Sequence, residues 1–81
     1  MTIVTSKTVT ARHVKAARAL LDWTAADLAS ECRVAVTTIR RFESGVNIRA
    51  SSRQAIFDAV IEAGIEFQNG GKPGARLMGE K

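Results

Sequence analysis

The sequence predicts an all-α domain of four short helices followed by a short C-terminal β segment. Four stretches carry apolar residues at the i, i+3, i+4 spacing that gives a helix one apolar face. Polar capping residues precede three of these stretches, and a glycine follows each of the last two. An alternation of apolar and polar residues begins at Ile65 and indicates a strand. With 81 residues, the chain forms one domain with one modest core.

The chain before the first helix, residues 1–9, is predicted to be an N-terminal arm. Its composition favours β structure but the segment is short, so a free arm, a frayed end and a strand added to a sheet edge all stay open. Thr10 is a good N-cap for a first helix from Ala11 to about Leu21. The predicted apolar stripe of this helix consists of Val14, Ala17, Leu20 and Leu21.

The second and third helices are short and close together. Thr24 caps the second helix, and Asp27 stands where a carboxylate can return a hydrogen bond to the cap. A helix of about two turns is not stable alone in water, so packing must hold it. Residues 33–35 form a turn, after which the third helix runs from about Val36 to Ser44. The inward positions are Ala25, Leu28, Ala29 and Cys32 on the second helix, and Ile39 and Phe42 on the third.

The fourth helix follows a loop. Gly45 ends the third helix in a left-handed conformation, and residues 46–50 form the loop. Ser51 or Ser52 is predicted to cap the fourth helix, which Gly64 closes. Its inward face consists of Ile56, Ala59, Val60 and Ala63, widened by Phe57 and Ile61.

Residues 65–78 are predicted to be a short β appendage to the helical domain of residues 10–64, with a tail at 79–81. Residues 65–68 form the first strand, glycines and a proline indicate a turn, and residues 75–78 can return as a second strand. An isolated hairpin is barely stable, so its apolar side chains must cover either the helices or a second copy of the chain. These side chains are Ile65, Phe67 and Leu77.

The net charge of +4 lies entirely in one part of the chain. Residues 33–53 hold five arginines and one glutamate, while the other residues balance seven basic against seven acidic side chains. A concentrated basic surface is the electrostatic pattern of a protein that faces phosphates. A solvated basic face without a partner is the alternative. The five arginines are Arg33, Arg40, Arg41, Arg49 and Arg53.

The composition argues against several other classes of protein. With 46% apolar residues the chain is globular, and no apolar run approaches the roughly 20 residues that span a bilayer. Residues 1–13 lack the apolar core of a signal peptide, so we expect a cytoplasmic location and no membrane partner. The single cysteine excludes an internal disulfide. No nucleophile–base pair, carboxylate dyad or phosphate loop is recognisable, so we expect no enzyme activity and no cofactor.

Three residues invite functional interpretations that the sequence does not favour. His13 has no partner at metal-ligand spacing, so we predict an exposed surface residue and no metal site. Cys32 lies on an apolar helix face and is predicted to be a small buried hydrophobe rather than a redox sensor. Trp23 is predicted to pack at the corner between the first two helices rather than to bind a ligand.

The stretch from Thr24 to Gly45, TAADLASECRVAVTTIRRFESG, carries the spaced pattern L-A-x-x-x-x-V-x-x-x-T-I-x-x-F-E-x-G. Before it, residues 16–24, AARALLDWT, match the end of the first helix in many bacterial proteins with this pattern. Over about residues 11–77 the chain resembles the lambda-repressor-like helix-turn-helix domains of the Cro/XRE type. The resemblance implies a four-helix lambda-repressor-like domain that binds double-stranded DNA and regulates transcription, with repression favoured over activation.

The resemblance also implies which residues contact DNA. The third helix would be a recognition helix in the major groove. The second helix would place its free N-terminal N–H groups on a phosphate, which the physics of helix ends predicts independently. Arg18 on the first helix would pair with Glu43, because an anion near a helix C-terminus needs a compensating partner. The predicted DNA-contacting residues are Thr24 and Ala25 on the second helix, Val36, Thr37 and Arg41 at base edges, and Thr38, Arg40, Arg49 and Arg53 beside phosphates.

The chain departs from the family pattern at the turn. Arg33 stands where glycine is usual, and a non-glycine residue in a left-handed conformation costs about 1 kcal/mol. Ala35 stands where a serine or threonine usually caps the recognition helix, which forgoes roughly another 1 kcal/mol. The glutamine pair that often reads adenine is also missing, so Val36 and Thr37 offer only methyl contacts and one hydroxyl.

The sequence also leads to expectations about oligomeric state and partners. We expect a homodimer that joins the strand at 65–69, and the arm with Ile3 and Val4, into a small shared sheet, so that two recognition helices read an inverted repeat. The competing arrangement is a monomer whose hairpin folds back over the fourth helix.

Other functions left open are a DNA-binding antitoxin that holds its toxin through residues 65–78, a protein-interaction domain, and a vestigial domain that no longer binds DNA.

Overall fold

The computed structural model describes residues 4–68 and 74–77. Four helices precede a two-stranded antiparallel sheet, which confirms the predicted all-α domain with a short C-terminal β segment. The elements are α1 (Ala11–Leu21), α2 (Ala25–Cys32), α3 (Val36–Glu43), α4 (Ala50–Glu62), β1 (Ile65–Gln68) and β2 (Gly74–Leu77).

One apolar core joins all four helices to residues 4–9 and to β1. Leu28, Ile39 and Ile56 are fully buried and link α2, α3 and α4. Val4 and Val9 are also buried, so residues 4–9 belong to the folded domain instead of forming a free arm. The other buried apolar residues are Val14, Ala17, Ala29, Phe42, Val60 and Ile65.

The polar caps predicted for α1 and α2 are present. Thr10 Oγ1 accepts from the His13 amide at 3.3 Å, and Thr24 Oγ1 accepts from the Asp27 amide at 3.0 Å. The Asp27 carboxylate in turn accepts from the Thr24 amide at 2.9 Å. Each capping box satisfies amides that have no acceptor within the helix, so the two sequence signals fix where α1 and α2 begin.

The turn between α2 and α3 has the strained geometry that the sequence predicts. Arg33 adopts φ 60° and ψ 38°, the left-handed region that normally favours glycine. Ala35 precedes α3 without any side-chain hydrogen bond to its amides. Asp22, at the end of α1, is a second non-glycine residue in this region, with φ 59°. Gly45 and Gly64, with φ values of 94° and 105°, follow α3 and α4.

The prediction that His13 is an exposed surface residue is wrong, because only 1% of it is accessible. It is the third residue of α1 and completes the capping box, since its Nδ1 accepts from the Thr10 amide at 2.9 Å. Its ring meets the edge of the Phe67 ring with centroids 5.1 Å apart. The imidazole therefore takes the place of the glutamate that usually completes such a box, and it also fills space under the sheet.

Other packing predictions also need correction. Leu20 and Ile61, assigned to apolar stripes, are 42% and 41% exposed, and Cys32 is only half-buried. The fourth helix has Arg49 as its N-cap without a side-chain bond, because a guanidinium group has no acceptor for the helix amides. The amides of residues 52 and 53 bond to the Arg49 carbonyl at 3.1 Å. Ser51 and Ser52 consequently fall inside the first turn. Trp23 packs against the core, as predicted.

The sheet folds back onto the helices of its own chain. Ile65 pairs with Leu77 and Phe67 with Ala75 in the antiparallel register. Ile65 is buried, and the Phe67 ring stacks on the Phe57 ring of α4 with centroids 6.0 Å apart. These two apolar side chains thus cover helices of the same chain. The predicted turn between the strands, Ile3, Met78 and the tail at 79–81 lie outside the described residues.

Candidate nucleic-acid interface

Helix α3 is held to the domain by one side and leaves the other side accessible. Ile39 and Phe42 are buried against the core, and they are separated by three positions, which places them on the same face. Thr37, Arg40 and Arg41 on the remaining surface are exposed. The helix therefore presents a hydroxyl and two guanidinium groups to the surroundings without losing its anchoring contacts.

The outer face of α3 adjoins the loop that leads to α4. Between them lies a shallow concavity of about 290 Å³. Four of the residues predicted from sequence meet there, namely Thr37, Thr38, Arg41 and Arg49. The other lining residues were not predicted to contact DNA, although a polar side chain in the loop shortly after Gly45 was a usable signal. These additional residues are Asn47, Ile48 and Ser52.

The cations on this surface are not neutralised by the part of the domain that the structure describes. Arg40, Arg41 and Arg49 are exposed, and their guanidinium groups make no ion pair or hydrogen bond with residues 4–68 or 74–77. Glu43, the acidic residue within the basic segment, is buried and engaged elsewhere. The positive potential of the three arginines is therefore available to an external anion.

The start of α2 offers less to an anion than the sequence suggests. The capping box engages the amides of Thr24 and Asp27, and it places the Asp27 carboxylate beside the helix N-terminus. The amides of Ala25 and Ala26 lie in the first turn, where a helix has no internal acceptors. A phosphate at this end would bind those two amides while facing a carboxylate. At the start of α3, Val36 is half-buried and packs partly on the core.

Arg53 has a different role from the predicted phosphate contact. Its Nε donates to the Ser6 carbonyl at 3.1 Å, and its Nη2 donates to the carbonyls of Lys7 and Val9, each at 3.0 Å. The guanidinium also lies 5.3 Å from the centroid of the Phe42 ring. Through these contacts Arg53 holds the N-terminal segment against α3 and α4. A basic residue count could not separate this internal arginine from the exposed ones.

Arg18 and Glu43 form the ion pair that the sequence predicts. Arg18 Nε donates to Glu43 Oε2 and Arg18 Nη2 to Glu43 Oε1, both at 2.8 Å. Arg18 Nη1 also donates to the Trp23 carbonyl at 3.0 Å. The hydrogen bonds to Glu43 raise the pKa of the Arg18 guanidinium above its ordinary value, against the opposing effect of burial. The pair joins α1 to the end of α3 and so fixes the direction in which α3 points.

No protein-family model, curated protein sequence or solved structure matches the chain. Among the described residues, no helix is long and apolar enough to cross a membrane. Within the same residues, no three histidine, cysteine or carboxylate side chains come together as they would around a metal ion. The geometry and charge of the surface are therefore the basis on which its function is inferred.

Proposed function

We propose that the chain is a sequence-specific double-stranded DNA-binding protein of the cytoplasm that regulates transcription, with repression favoured over activation. The observation that carries the proposal is the concavity along α3, in which the side chains of Thr37, Arg41 and Arg49 stand together without a hydrogen-bond or ion-pair partner among residues 4–68 and 74–77. The major groove of B-DNA is about 12 Å wide and admits one α-helix. A repressor needs only to occupy its site, and a domain with one binding surface is sufficient for that.

In this proposal α3 lies in the major groove with Arg41 and Thr37 directed at base edges. An arginine can donate two hydrogen bonds to O6 and N7 of guanine, and a threonine offers one hydroxyl and a methyl contact to thymine. Arg40 and Arg49, on either side of this face, bind phosphates and set the register of the helix on the duplex. Val36, being half-buried, contributes at most a methyl contact at the helix start.

The first test compares Arg41→Ala with Arg49→Ala on DNA selected from a random pool. Arg41→Ala is expected to reduce the preference for the selected site over scrambled DNA by roughly 5- to 150-fold, because a bidentate contact to guanine contributes about 1–3 kcal/mol. Arg49→Ala is expected to weaken binding to all sequences alike and to reduce the slope of log K against log salt by about 0.9. Fluorescence anisotropy titrations at several salt concentrations measure both quantities.

A matched control for both variants is Lys15→Ala. Lys15 is an exposed cation on α1 that does not line the α3 concavity. The Lys15→Ala variant loses one positive charge and should have nearly the same DNA affinity, sequence preference and salt slope as the parent. Equal preference in Arg41→Ala and the parent would reject the assigned reading face, and the absence of salt-dependent binding in the parent would reject DNA binding itself.

We also propose that the chain acts as a homodimer on an inverted repeat. One helix of eight residues reaches about half a site, and two copies one helical turn apart would double the contact. Each described strand of the sheet pairs with a single neighbour, so a second chain can add to an outer edge. Because Ile65 and Phe67 already cover α1 and α4, such a dimer would depend on backbone pairing rather than on those side chains.

Sedimentation equilibrium across the micromolar range tests the dimer. We expect a reversible monomer–dimer equilibrium, together with binding to the inverted repeat at least tenfold tighter than to an isolated half-site. The half-site duplex serves as the control, because it admits one recognition helix only. A chain that stays monomeric and binds both duplexes with equal affinity would contradict the proposal.

No feature of the described residues specifically favours the antitoxin alternative.

A further inference from the structure

The N-terminal segment, residues 4–9, is built as a compact turn instead of a loose end. Its two ends are fixed because Val4 and Val9 are buried in the core. Between them, the amides of Thr8 and Val9 bond to the Thr5 carbonyl at 3.0 and 2.9 Å. Thr8 Oγ1 also accepts from the Thr5 amide at 2.8 Å. These bonds hold the exposed middle of the segment in one shape.

Helix α4 fastens this turn to the rest of the domain. The Arg53 guanidinium donates hydrogen bonds to three backbone carbonyls of the segment, those of Ser6, Lys7 and Val9. Next to it, Ser6 Oγ donates to the Gln54 side chain at 2.8 Å. Three carbonyls that converge on one guanidinium fix the path of the backbone, which leaves the Lys7 side chain as the exposed cation of the segment.

The fastened turn borders the candidate nucleic-acid interface. A second shallow concavity, of about 240 Å³, separates the segment from the loop after α3. Lys7 and Thr8 line one side of it, and Val46 and Asn47 line the other. Asn47 lines the α3 concavity as well, so the two depressions adjoin. Like the arginines of α3, the Lys7 ammonium makes no ion pair with the described residues.

We propose that residues 4–9 form a second DNA-contacting element, in which Lys7 binds a phosphate of the same duplex that α3 reads. This inference rests on the proposed function and extends its contact surface past the loop to the N-terminal segment. Arg53 is a positioning residue, because its contacts hold the segment and it does not touch the DNA. The ligand group is a backbone phosphodiester, so the contact adds affinity and register without adding sequence preference.

The test compares Lys7→Ala with Lys15→Ala, each of which removes one exposed lysine charge. For Lys7→Ala we expect a salt slope lower by about 0.9, which makes binding about 3.5-fold less sensitive to a change from 50 to 200 mM salt. The loss should be the same on selected and scrambled DNA. Lys15→Ala should retain the parent slope. Thermal melts of both variants should match the parent, because both side chains are exposed.

A second measurement reports on the positioning role without DNA. Arg53→Met keeps much of the side-chain volume but removes the donors to the three carbonyls. We expect the amides of Thr8 and Val9 to exchange with solvent at least tenfold faster in this variant. In the Arg53→Met background, adding Lys7→Ala should no longer lower the salt slope, since the lysine is not held in place.

The outcomes separate this inference from the proposed function. If Arg49→Ala lowers the salt slope but Lys7→Ala does not, the chain binds DNA and the contact by residues 4–9 is rejected. If amide exchange in Arg53→Met equals that of the parent, the positioning role is rejected. If the unaltered chain shows no salt-dependent binding to any duplex, both the proposed function and the inference fail.

Discussion

Replacing either Arg18 or Glu43 with alanine is expected to lower the free energy of unfolding by roughly 3–5 kcal/mol. The two side chains share two hydrogen bonds of 2.8 Å, and the side chain of Glu43 is only 8% exposed. Removal of one partner leaves the other partly buried charge without compensation, which costs more than the pair itself contributes. Since domains of this kind are stable by about 5–15 kcal/mol, the loss is a large fraction of the total.

Urea unfolding of the two single variants and of the double variant measures this effect. We expect the double variant to be less destabilised than the sum of the two single changes, because it leaves no unpaired charge. Arg12→Ala is the matched control, since Arg12 lies exposed on α1 and forms no ion pair with the described residues. A coupling energy near zero would show that the pair is merely two solvated charges. Because the pKa of Arg18 is raised in the folded state, the contribution of its guanidinium to stability is complete below its ordinary pKa and is lost as the pH rises through the raised pKa.

Phe42→Ala is expected to lower the free energy of unfolding by roughly 3–5 kcal/mol, the usual range for truncating a buried aromatic residue. The residue is 5% exposed and packs on the core side of α3, and the Arg53 guanidinium lies over the face of its ring. The change therefore removes apolar contacts and a cation–π contact together. We expect the variant to unfold at markedly lower urea concentration, with faster amide exchange at Thr8 and Val9 as well.

Phe42→Leu is the control that separates these two contributions. Leucine retains much of the apolar volume but offers no aromatic face to Arg53, so we expect a smaller loss of about 1–2 kcal/mol. If the exchange of the amides in residues 4–9 stayed at the parent rate in Phe42→Ala, the ring would have no part in holding that segment. Equal stability of the alanine and leucine variants would contradict the assigned core position.

Local signals in the sequence predicted most of the fold because they act over three or four residues. Thr10 and Thr24 each specify a helix start, because the side-chain oxygen accepts a hydrogen bond from an amide of the first turn. This bond does not depend on packing against distant segments. Gly45 and Gly64 mark helix ends by the same kind of short-range preference. The partnership of Arg18 with Glu43 spans 25 positions, and it was accessible only through the resemblance of the surrounding pattern to a known family.

The sequence could not predict which polar side chains turn inward. His13 looks like a surface residue because nothing near it in the chain is a metal ligand, yet its ring is covered by Phe67, more than fifty positions away. Arg53 looks like its exposed neighbours because its three carbonyl partners lie in another segment. The exposure of Thr37, Arg40 and Arg41 could be predicted because it depends on the periodicity of one helix. The position of Lys7 and Asn47 beside that helix could not be predicted, because distant segments meet there.

The division of α3 into a fastened side and an outer side has a consequence for how such a protein can change. Ile39, Phe42 and Glu43 make the contacts that hold the helix in place, whereas Thr37, Arg40 and Arg41 make none with the core. Substitutions at the outer positions should alter stability by only about 0.5 kcal/mol. Those positions can therefore be exchanged as a set on an unchanged scaffold, and under the proposed function such exchanges would change the preferred DNA sequence.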